Sequence, residues 1–377
     1  MIDPATIPAD ATLYLQPVQF VDSPIGRDGR VARLAGGLLW FAAYQLIAVE
    51  DGRRVAQADV PVADFPALCD ALPEAQAARL TLLAERISAP RAPIHAGERV
   101  LRFDQPMVMA ILNCTPDSFS DGGRHMDDAG AAAQAGFDMG AAGAAIIDIG
   151  GESTRPGAQT VWEGDEIKRV VPVIERLAKS GTPVSVDTRK AAVMEAALAA
   201  GAHLVNDVAA LRWDDRAPEV VAKAGCPVVL MHSPAPESGP HGGSGYGDAL
   251  IEVFAWLEAR VEAVVAAGVE RANILVDPGI GFGKALADSL ALLNGLAMFH
   301  ALGCPVVLGA SRKRIVGALS NEAPVEERLG GSIALALKGA EMGAQVLRVH
   351  DVAETVQALR VWRGMKDAAL IAGGFTA

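Results

Sequence analysis

Cysteine is scarce in this chain: four residues, at 69, 114, 226 and 304, among 377. They form neither a CxxC pair nor a metal-ligand spacing, so no cysteine-based framework organises the fold, and reduced thiols in a cytoplasmic protein are expected. Positive charge is also short. Lys and Arg number 33 against 45 Asp and Glu, a formal net charge of −12. That balance argues against nucleic acid or an anionic membrane as the main partner. An anionic ligand must then be received by local cations or a metal. Long hydrophobic runs are missing: the longest early one, Gly36 to Val49, is interrupted by Gln45 and too short to span a bilayer. No charged segment followed by an apolar core opens the chain, so no secretory signal is expected.

Apolar residues are plentiful, at 51%, enough for one large domain and a smaller one. In the first hundred residues, Leu13 to Phe20 alternates in part and predicts a strand. Leu38 to Val49 is a core segment of either type, and Glu74 to Ile87 has helical spacing. Ala89-Pro90-Arg91-Ala92-Pro93 reads as a linker. The expected division is a small N-terminal accessory region of mixed α and β over residues 1–98, and a catalytic domain over 99–377. The accessory region reads as a structural extension without chemistry of its own, in preference to an oligomerisation or site-covering module.

From Met107 onward the pattern is regular. Short apolar runs (Val108–Asn113, Ala145–Ile149, Val184–Asp187, Leu204–Asp207, Val228–His232, Ile274–Asp277, Val306–Gly309, Val346–His350) alternate with amphipathic segments. Those segments include Ala129–Ala142, Glu166–Ser180, Ala191–Ala200, Ala249–Ala267 and Val325–Met342, and helices end at glycines such as Gly225 and Gly303. Eight strand–helix units in series predict an α/β fold of the (β/α)8 TIM-barrel type rather than a doubly wound open sheet. Side chains alternate faces along a strand. Ser185 and Asp187 therefore share a face, as do Leu275 and Asp277, and Arg348 and His350, while Val184, Val186, Ile274, Val276 and Val349 face the helices.

The strand ends carry Asn113, Asp148, Asp187, Asn206, His232, Asp277, Ser311-Arg312-Lys313 and His350. For Asp207 and Asp351 the plainer reading is a helix cap or turn former. For His203 and His232 it is a satisfied core or turn histidine. Asp148, Asp187, Asn206 and Asp277 together are harder to explain that way, because burying several carboxylates at one mouth is costly without a polar partner. A donor-rich ligand such as an aminopyrimidinone ring supplies one. Arg155, Lys313, Arg348 and His350 gather cations at the same mouth. They suit a diphosphate leaving group, aided by Mg²⁺ and by the helix start after Ser311. Gly279 to Lys284 lacks Walker spacing and reads as a close-packed turn that sets Phe282 against a flat ligand. A metal-hydrolase barrel is poorly supported, since the first strand ends Asn113-Cys114-Thr115 without a His-x-His pair.

These segments, in order, resemble the dihydropteroate synthase family. Asn113-Cys114-Thr115-Pro116-Asp117-Ser118-Phe119-Ser120-Asp121-Gly122-Gly123 is similar to its first signature, and Asp148 through Gly157 to its second. Ser185-Val186-Asp187-Thr188, Asn206-Asp207, Asp277 to Lys284, Ser311-Arg312-Lys313 and Arg348-Val349-His350-Asp351 complete the set, over roughly Pro106 to Val361. The resemblance implies condensation of 6-hydroxymethyl-7,8-dihydropterin diphosphate with 4-aminobenzoate, giving 7,8-dihydropteroate and diphosphate, in a cytoplasmic homodimer. It implies pterin binding by Asp148, Asp187, Asn206, Met231, Asp277, Phe282 and Lys313, and diphosphate binding by Asn113, Arg155, Arg348 and His350. The 4-aminobenzoate site would comprise Phe119, Thr154, Arg155, Pro156, Ser311 and Lys313, with Asn113 ligating Mg²⁺. Asp187, Arg155 and Lys313 would carry the catalysis. Cys114 stands where the family has a branched aliphatic, which places an oxidisable thiol beside the metal ligand. Ser233 to Gly243 departs from the family pattern and reads as a mobile loop. The competing readings are a methyltetrahydrofolate–corrinoid methyltransferase-like barrel, which needs neither Ser153 to Gly157 nor the Ser311-Arg312-Lys313 group, and a non-catalytic pterin-binding paralogue.

Overall fold

A computed structural model of the chain describes residues 4–114, 129–153, 158–234 and 245–372. The N-terminal region is built on an antiparallel sheet of β1 (Thr12–Val21), β2 (Ala32–Arg33), β3 (Trp40–Glu50) and β4 (Arg53–Pro61), with β3 paired to the other three. Asp51 and Gly52, at φ +49° and +73°, join β3 to β4, with Glu50 opposite Arg53. Positive φ at both central residues is the two-residue turn whose twist matches that of a strand pair. The segment whose type the sequence left open is therefore a strand, decided by pairing on both edges. Helices α1 (Phe65–Asp70) and α2 (Glu74–Ser88) follow. Gln76, Leu80, Leu83 and Ile87 form the buried stripe of α2, spaced three to four residues apart as an amphipathic helix requires.

The expected linker is a docked connection. Arg91 is buried, and its guanidinium donates to the carbonyls of Arg86 (2.7 Å), Ala89 (3.0 Å) and His300 (2.9 Å). Those bonds tie both sides of the connection together. The hairpin β5 (Ile94–Ala96) and β6 (Arg99–Leu101) then straddles residue 98, so the expected division cuts a hydrogen-bonded pair. Ile94 from this hairpin and Phe103 just after it join Met109, Ile146, Leu204, Val229, Leu275, Val307 and Val346 in one cluster inside the barrel. The hairpin thus closes the end of the barrel opposite the site.

The barrel runs β7 (Met107–Asn113), α3 (Ala129–Ala141), β8 (Ile146–Gly150), α4 (Glu163–Lys179), β9 (Val184–Asp187), α5 (Ala191–Ala199), β10 (Leu204–Asp207), α6 (Ala217–Ala224), β11 (Val228–Met231), α7 (Ala249–Ala266), β12 (Ile274–Asp277), α8 (Leu286–Asn294), β13 (Val307–Leu308), α9 (Arg314–Leu319), α10 (Leu329–Glu341), β14 (Val346–Val349) and α11 (Val352–Ala372). All adjacent strands are parallel, and a bridge between Val276 and Val306 closes β12 onto β13. Val184, Val186, Ile274, Val276 and Val349 lie in the outer, helix-facing core, and Leu275 lies inside, as the alternation predicts. Gly225 and Gly303 end their helices at φ +62° and +78°, the left-handed conformation that glycine takes without a Cβ penalty. The helix expected over 325–342 is broken: a short 3-10 turn, Val325–Glu327, precedes α10. Arg328 sits between them and donates to the carbonyls of Ala323 (2.8 Å) and Arg312 (3.0 Å).

Candidate active site

Register sets the site. Asn113 lies opposite Gly150, Gly150 opposite Asp187, Asp187 opposite Asn206, and Met231 opposite Asp277. Inward-pointing positions at neighbouring strand ends therefore form one ring of polar groups at the C-terminal mouth, where barrels of this type carry their chemistry. Gly150 leaves that ring open. A Cβ there would stand 3.6 Å from the Asp187 Cβ and 3.8 Å from the Asn113 Oδ1, so any side chain would occupy space between them.

Arg348 joins the carboxylates. Its Nε donates to Asp148 Oδ2 (2.6 Å) and its Nη2 to Asp187 Oδ2 (2.6 Å), while Asn206 Nδ2 also donates to Asp148 Oδ2 (2.9 Å). Asp148 is fully buried, and its Oδ1 has no hydrogen-bond partner among the described residues, nor has the buried Ser185 Oγ opposite it. Burial pushes the Asp187 carboxyl up to about 7; Arg348 opposes the rise and Asp148 adds to it. Burial works against the Arg348 cation, but Asp148 and Asp187 outweigh it and raise its pKa. The resemblance places Arg348 on the diphosphate. In this structure its guanidinium fork spans the two buried carboxyl groups of Asp148 and Asp187.

Asp277 and Lys313 form the second half. Asp277 Oδ1 accepts the Gly279 N–H (2.7 Å). Burial raises this carboxyl, with Lys313 opposing. Lys313 donates to the Ile280 carbonyl (2.5 Å) and lies 4.3 Å from the Phe282 ring centroid. Burial pushes its ammonium down to about 8, with Asp277 opposing. Phe282, Met231 and Val208 make a small apolar cluster at the mouth, a flat wall beside the polar ring. The turn that presents Phe282 is tight: a Cβ on Gly279 would meet the His232 carbonyl oxygen at 2.0 Å. Lys284 closes the turn by donating to the carbonyls of Gly279 (2.9 Å), Phe282 (3.2 Å) and His232 (3.3 Å). It serves the backbone rather than a phosphate.

On the anion side, Ser311 Oγ lies 3.1 Å from His350 Nδ1 and accepts the His350 N–H at 3.2 Å. Phe119, Thr154, Arg155 and Pro156 lie outside the described residues, as do residues 235–244 of the divergent loop. Asp207 is the turn former its sequence setting suggested, accepting the N–H groups of Ala209 (2.7 Å) and Leu211 (2.8 Å). Asp351 is more than a cap: its carboxylate pairs with the Arg312 guanidinium, with Nε at 3.0 Å from Oδ2. His203 accepts the Val184 N–H (3.2 Å). His232 is buried, and burial together with Lys284 pushes its pKa down to about 3, so it stays neutral. Its Nδ1 has no partner among the described residues, so it is a core histidine but an unsatisfied one. The Cys114 thiol is pushed up to about 12 by burial. Burial therefore disfavours the thiolate form there.

Sequence reasoning missed a buried ionic network behind the site. Lys190 Nζ lies 3.0 Å from Glu152 Oε2 and 2.5 Å from Glu166 Oε2; Arg189 Nε lies 3.4 Å from Glu152 Oε2. Glu152 Oε1 accepts the Val161 N–H (2.9 Å). Burial would raise the Glu152 carboxyl, but this bond and the cations of Lys190 and Arg189 hold it below the usual range. One carboxylate thereby ties the two ends of the segment that contains Arg155. The signal was a charged residue directly after the Gly150-Gly151 pair, and its partner three residues beyond Asp187.

A family model described as pterin binding enzyme matches residues 109–350. The chain is 44% identical over 283 residues to a dihydropteroate synthase of Bacillus subtilis, covering 74% of this chain and 95% of that protein. A solved structure of Xanthomonas albilineans dihydropteroate synthase with 4-aminobenzoic acid is 47% identical and superposes with a TM-score of 0.69, over 73% of this chain and 98% of that one. A Yersinia pestis dihydropteroate synthase solved as a sulfonamide drug complex is 44% identical, with a TM-score of 0.68 over 73% of this chain and 100% of that one. The family model begins beyond the N-terminal sheet and helices.

Proposed function

This chain belongs to the pterin-binding enzymes and, among them, to the dihydropteroate synthases, and from that premise we propose that it condenses 6-hydroxymethyl-7,8-dihydropterin diphosphate with 4-aminobenzoate. The products are 7,8-dihydropteroate and diphosphate, a step of folate biosynthesis. The observation that carries the reading is the fully buried Asp148 carboxylate, held through Oδ2 by Arg348 and Asn206 while Oδ1 lacks a partner among the described residues. An unmet buried acceptor costs about 1–3 kcal/mol. The N–H groups of an aminopyrimidinone ring would satisfy it, and Phe282 and Met231 would cover the ring face.

The displacement is dissociative in this reading. The C–O bond to the diphosphate breaks, and the pterin methylene takes up positive charge shared with the ring. Asp187, 2.6 Å from Arg348, stabilises that charge in its ionised form. Arg155 and His350 receive the departing diphosphate. The arylamine nitrogen then forms the new C–N bond and loses its proton to solvent or diphosphate, so no strong general base is needed. Thr154, Pro156, Ser311 and Phe119 shape the arylamine site beside Lys313. The mouth suits Mg²⁺: Asn113 offers one hard amide oxygen beside the opening left by Gly150, and this ion keeps most of its ligands for water and substrate phosphate. Held there, Mg²⁺ would offset the diphosphate charge. A homodimer belongs to the same proposal, with turnover expected in each subunit.

Diphosphate release from purified protein tests the function directly. Turnover should require 4-aminobenzoate and fall by about a hundredfold or more in Arg155→Ala, as loss of an oriented cation at the leaving group predicts. Pterin binding without diphosphate release would instead indicate a non-catalytic paralogue. Sulfonamides should act as competitive inhibitors that raise the apparent KM for 4-aminobenzoate and leave kcat unchanged. Inhibition that saturating 4-aminobenzoate fails to relieve would refute a shared arylamine site.

A further inference from the structure

The N-terminal region, which the family model does not cover, grips one barrel helix along its length. Arg54 pairs in two-pronged fashion with Asp248 (Nε–Oδ2 2.6 Å, Nη2–Oδ1 3.2 Å), the N-cap residue of α7. Arg79 pairs with Glu258 (3.0 Å) and Arg86 with Glu262 (3.4 Å) further along the same helix. Between these pairs Tyr14 packs edge-on against Phe254, with ring centroids 5.6 Å apart. Helix α7 runs antiparallel to β11, so its N-terminus lies at the mouth of the barrel and its C-terminus at the far end. Of the three arginines, only Arg54 acts at the mouth. It is placed there by the Asp51-Gly52 turn, which puts β4 in register with β3 and Arg54 opposite Val49. Gln57 Oε1, 3.0 Å from Arg54 Nη1, steadies the guanidinium.

We propose that Arg54 is a positioning residue for the pterin pocket, acting through the first turns of α7. This rests on the function proposed above. The route is physical contact at every step. Asp248 accepts the Ile251 N–H (3.3 Å), and Glu252 Oε1 accepts the N–H groups of Gly247 (2.7 Å) and Asp248 (2.8 Å). Two turns on, Trp256 stands edge-on to His232, with centroids 4.8 Å apart. The His232 N–H donates to the Asp277 carbonyl (2.9 Å), and its carbonyl accepts Lys284 Nζ. Lys284 in turn holds the turn that presents Phe282 against Met231. Releasing Asp248 lets the start of α7 shift, and Trp256, His232 and the apolar wall of the pocket move with it. Asp148 and Arg348 are tied to each other and to Asn206 on other strands and stay in place. The loss therefore falls on how tightly the pterin ring is held, not on the chemical step.

The experiment measures the dissociation constant of dihydropterin diphosphate by calorimetry, and dihydropteroate formation in parallel. It compares the wild-type chain with Arg54→Ala, Arg54→Lys, Asp248→Asn, the Arg54→Ala/Asp248→Asn double variant, and Arg86→Ala. Arg54→Ala and Asp248→Asn should each weaken pterin binding about threefold or more, and the double variant no further than either single, as partners in one interaction behave. KM for the pterin substrate should rise alongside, with kcat and the KM for 4-aminobenzoate unmoved, and Arg54→Lys should recover most of the binding. Arg86→Ala removes a pair at the far end of α7 and should lower thermal stability without weakening pterin binding. Equal binding in all variants, or equal weakening by Arg86→Ala, would overturn the proposal and leave the N-terminal region a general stabiliser. Wild-type protein that binds the pterin diphosphate but forms no dihydropteroate would defeat the proposed function while the binding comparison still decides the role of Arg54.

Discussion

Asp187→Asn should reduce turnover by about 10²–10³-fold with the fold retained, the loss seen when one oriented electrostatic group is removed from a developing charge. The amide occupies the same volume, and its oxygen still accepts from Arg348, which also keeps Asp148. What disappears is the negative charge facing the pterin methylene. The pH profile carries a second signature. Burial pushes Asp187 up to about 7, so in the wild type the ionised form is gained as pH rises through neutrality and turnover rises with it. The variant should lack that limb. Single-turnover kinetics across the neutral range, with circular dichroism to check the fold, would measure both. Full turnover in a folded variant would remove Asp187 from the mechanism.

Arg348→Met should be the most destabilising single change in the site. It leaves Asp148 and Asp187 buried with Asn206 as the only described side-chain donor to either. Removing one partner of a buried ion pair costs about 3–5 kcal/mol. The cost should depend on pH, with a definite sign. The Asp187 pKa in the folded chain already lies above its unfolded value of 3.8. Its contribution to stability is therefore full below that unfolded value and is lost as pH rises through about 7. Arg348 is the group that opposes this rise, so its removal lifts the folded pKa further and steepens the loss. Urea denaturation of wild type and variant, at about pH 5.5 and about pH 8, should show a markedly larger deficit at the higher value. An equal deficit at both would mean that packing, not charge, is what Arg348 provides.

Strand–helix alternation, the outer and inner faces of the strands and the polar ring at the mouth were legible in residues 107–350 because they follow from local periodicity. A strand repeats every two residues and a helix every 3.6, and a barrel sends every strand end to the same mouth. The first hundred residues were less legible. Leu38 to Val49 carries no periodicity that separates a buried strand from a helix, and the Asp51-Gly52 signal for a hairpin stands just beyond it. The Ala89 to Pro93 segment looks like a linker in composition, and only the three carbonyls that Arg91 reaches show otherwise.

The sequence by itself determined the fold class, the family and the identity of the polar residues at the strand ends, since each is written in patterns a few residues long. The tertiary structure alone decided who pairs with whom. Arg348 meets Asp148 across 200 positions of chain, Arg54 meets Asp248 across 194, and Arg312 meets Asp351 across 39. Such pairings depend on which charges folding buries within a few ångströms of each other, and the strength of each depends on the water that folding removes. Neither quantity exists until the chain has closed into its barrel.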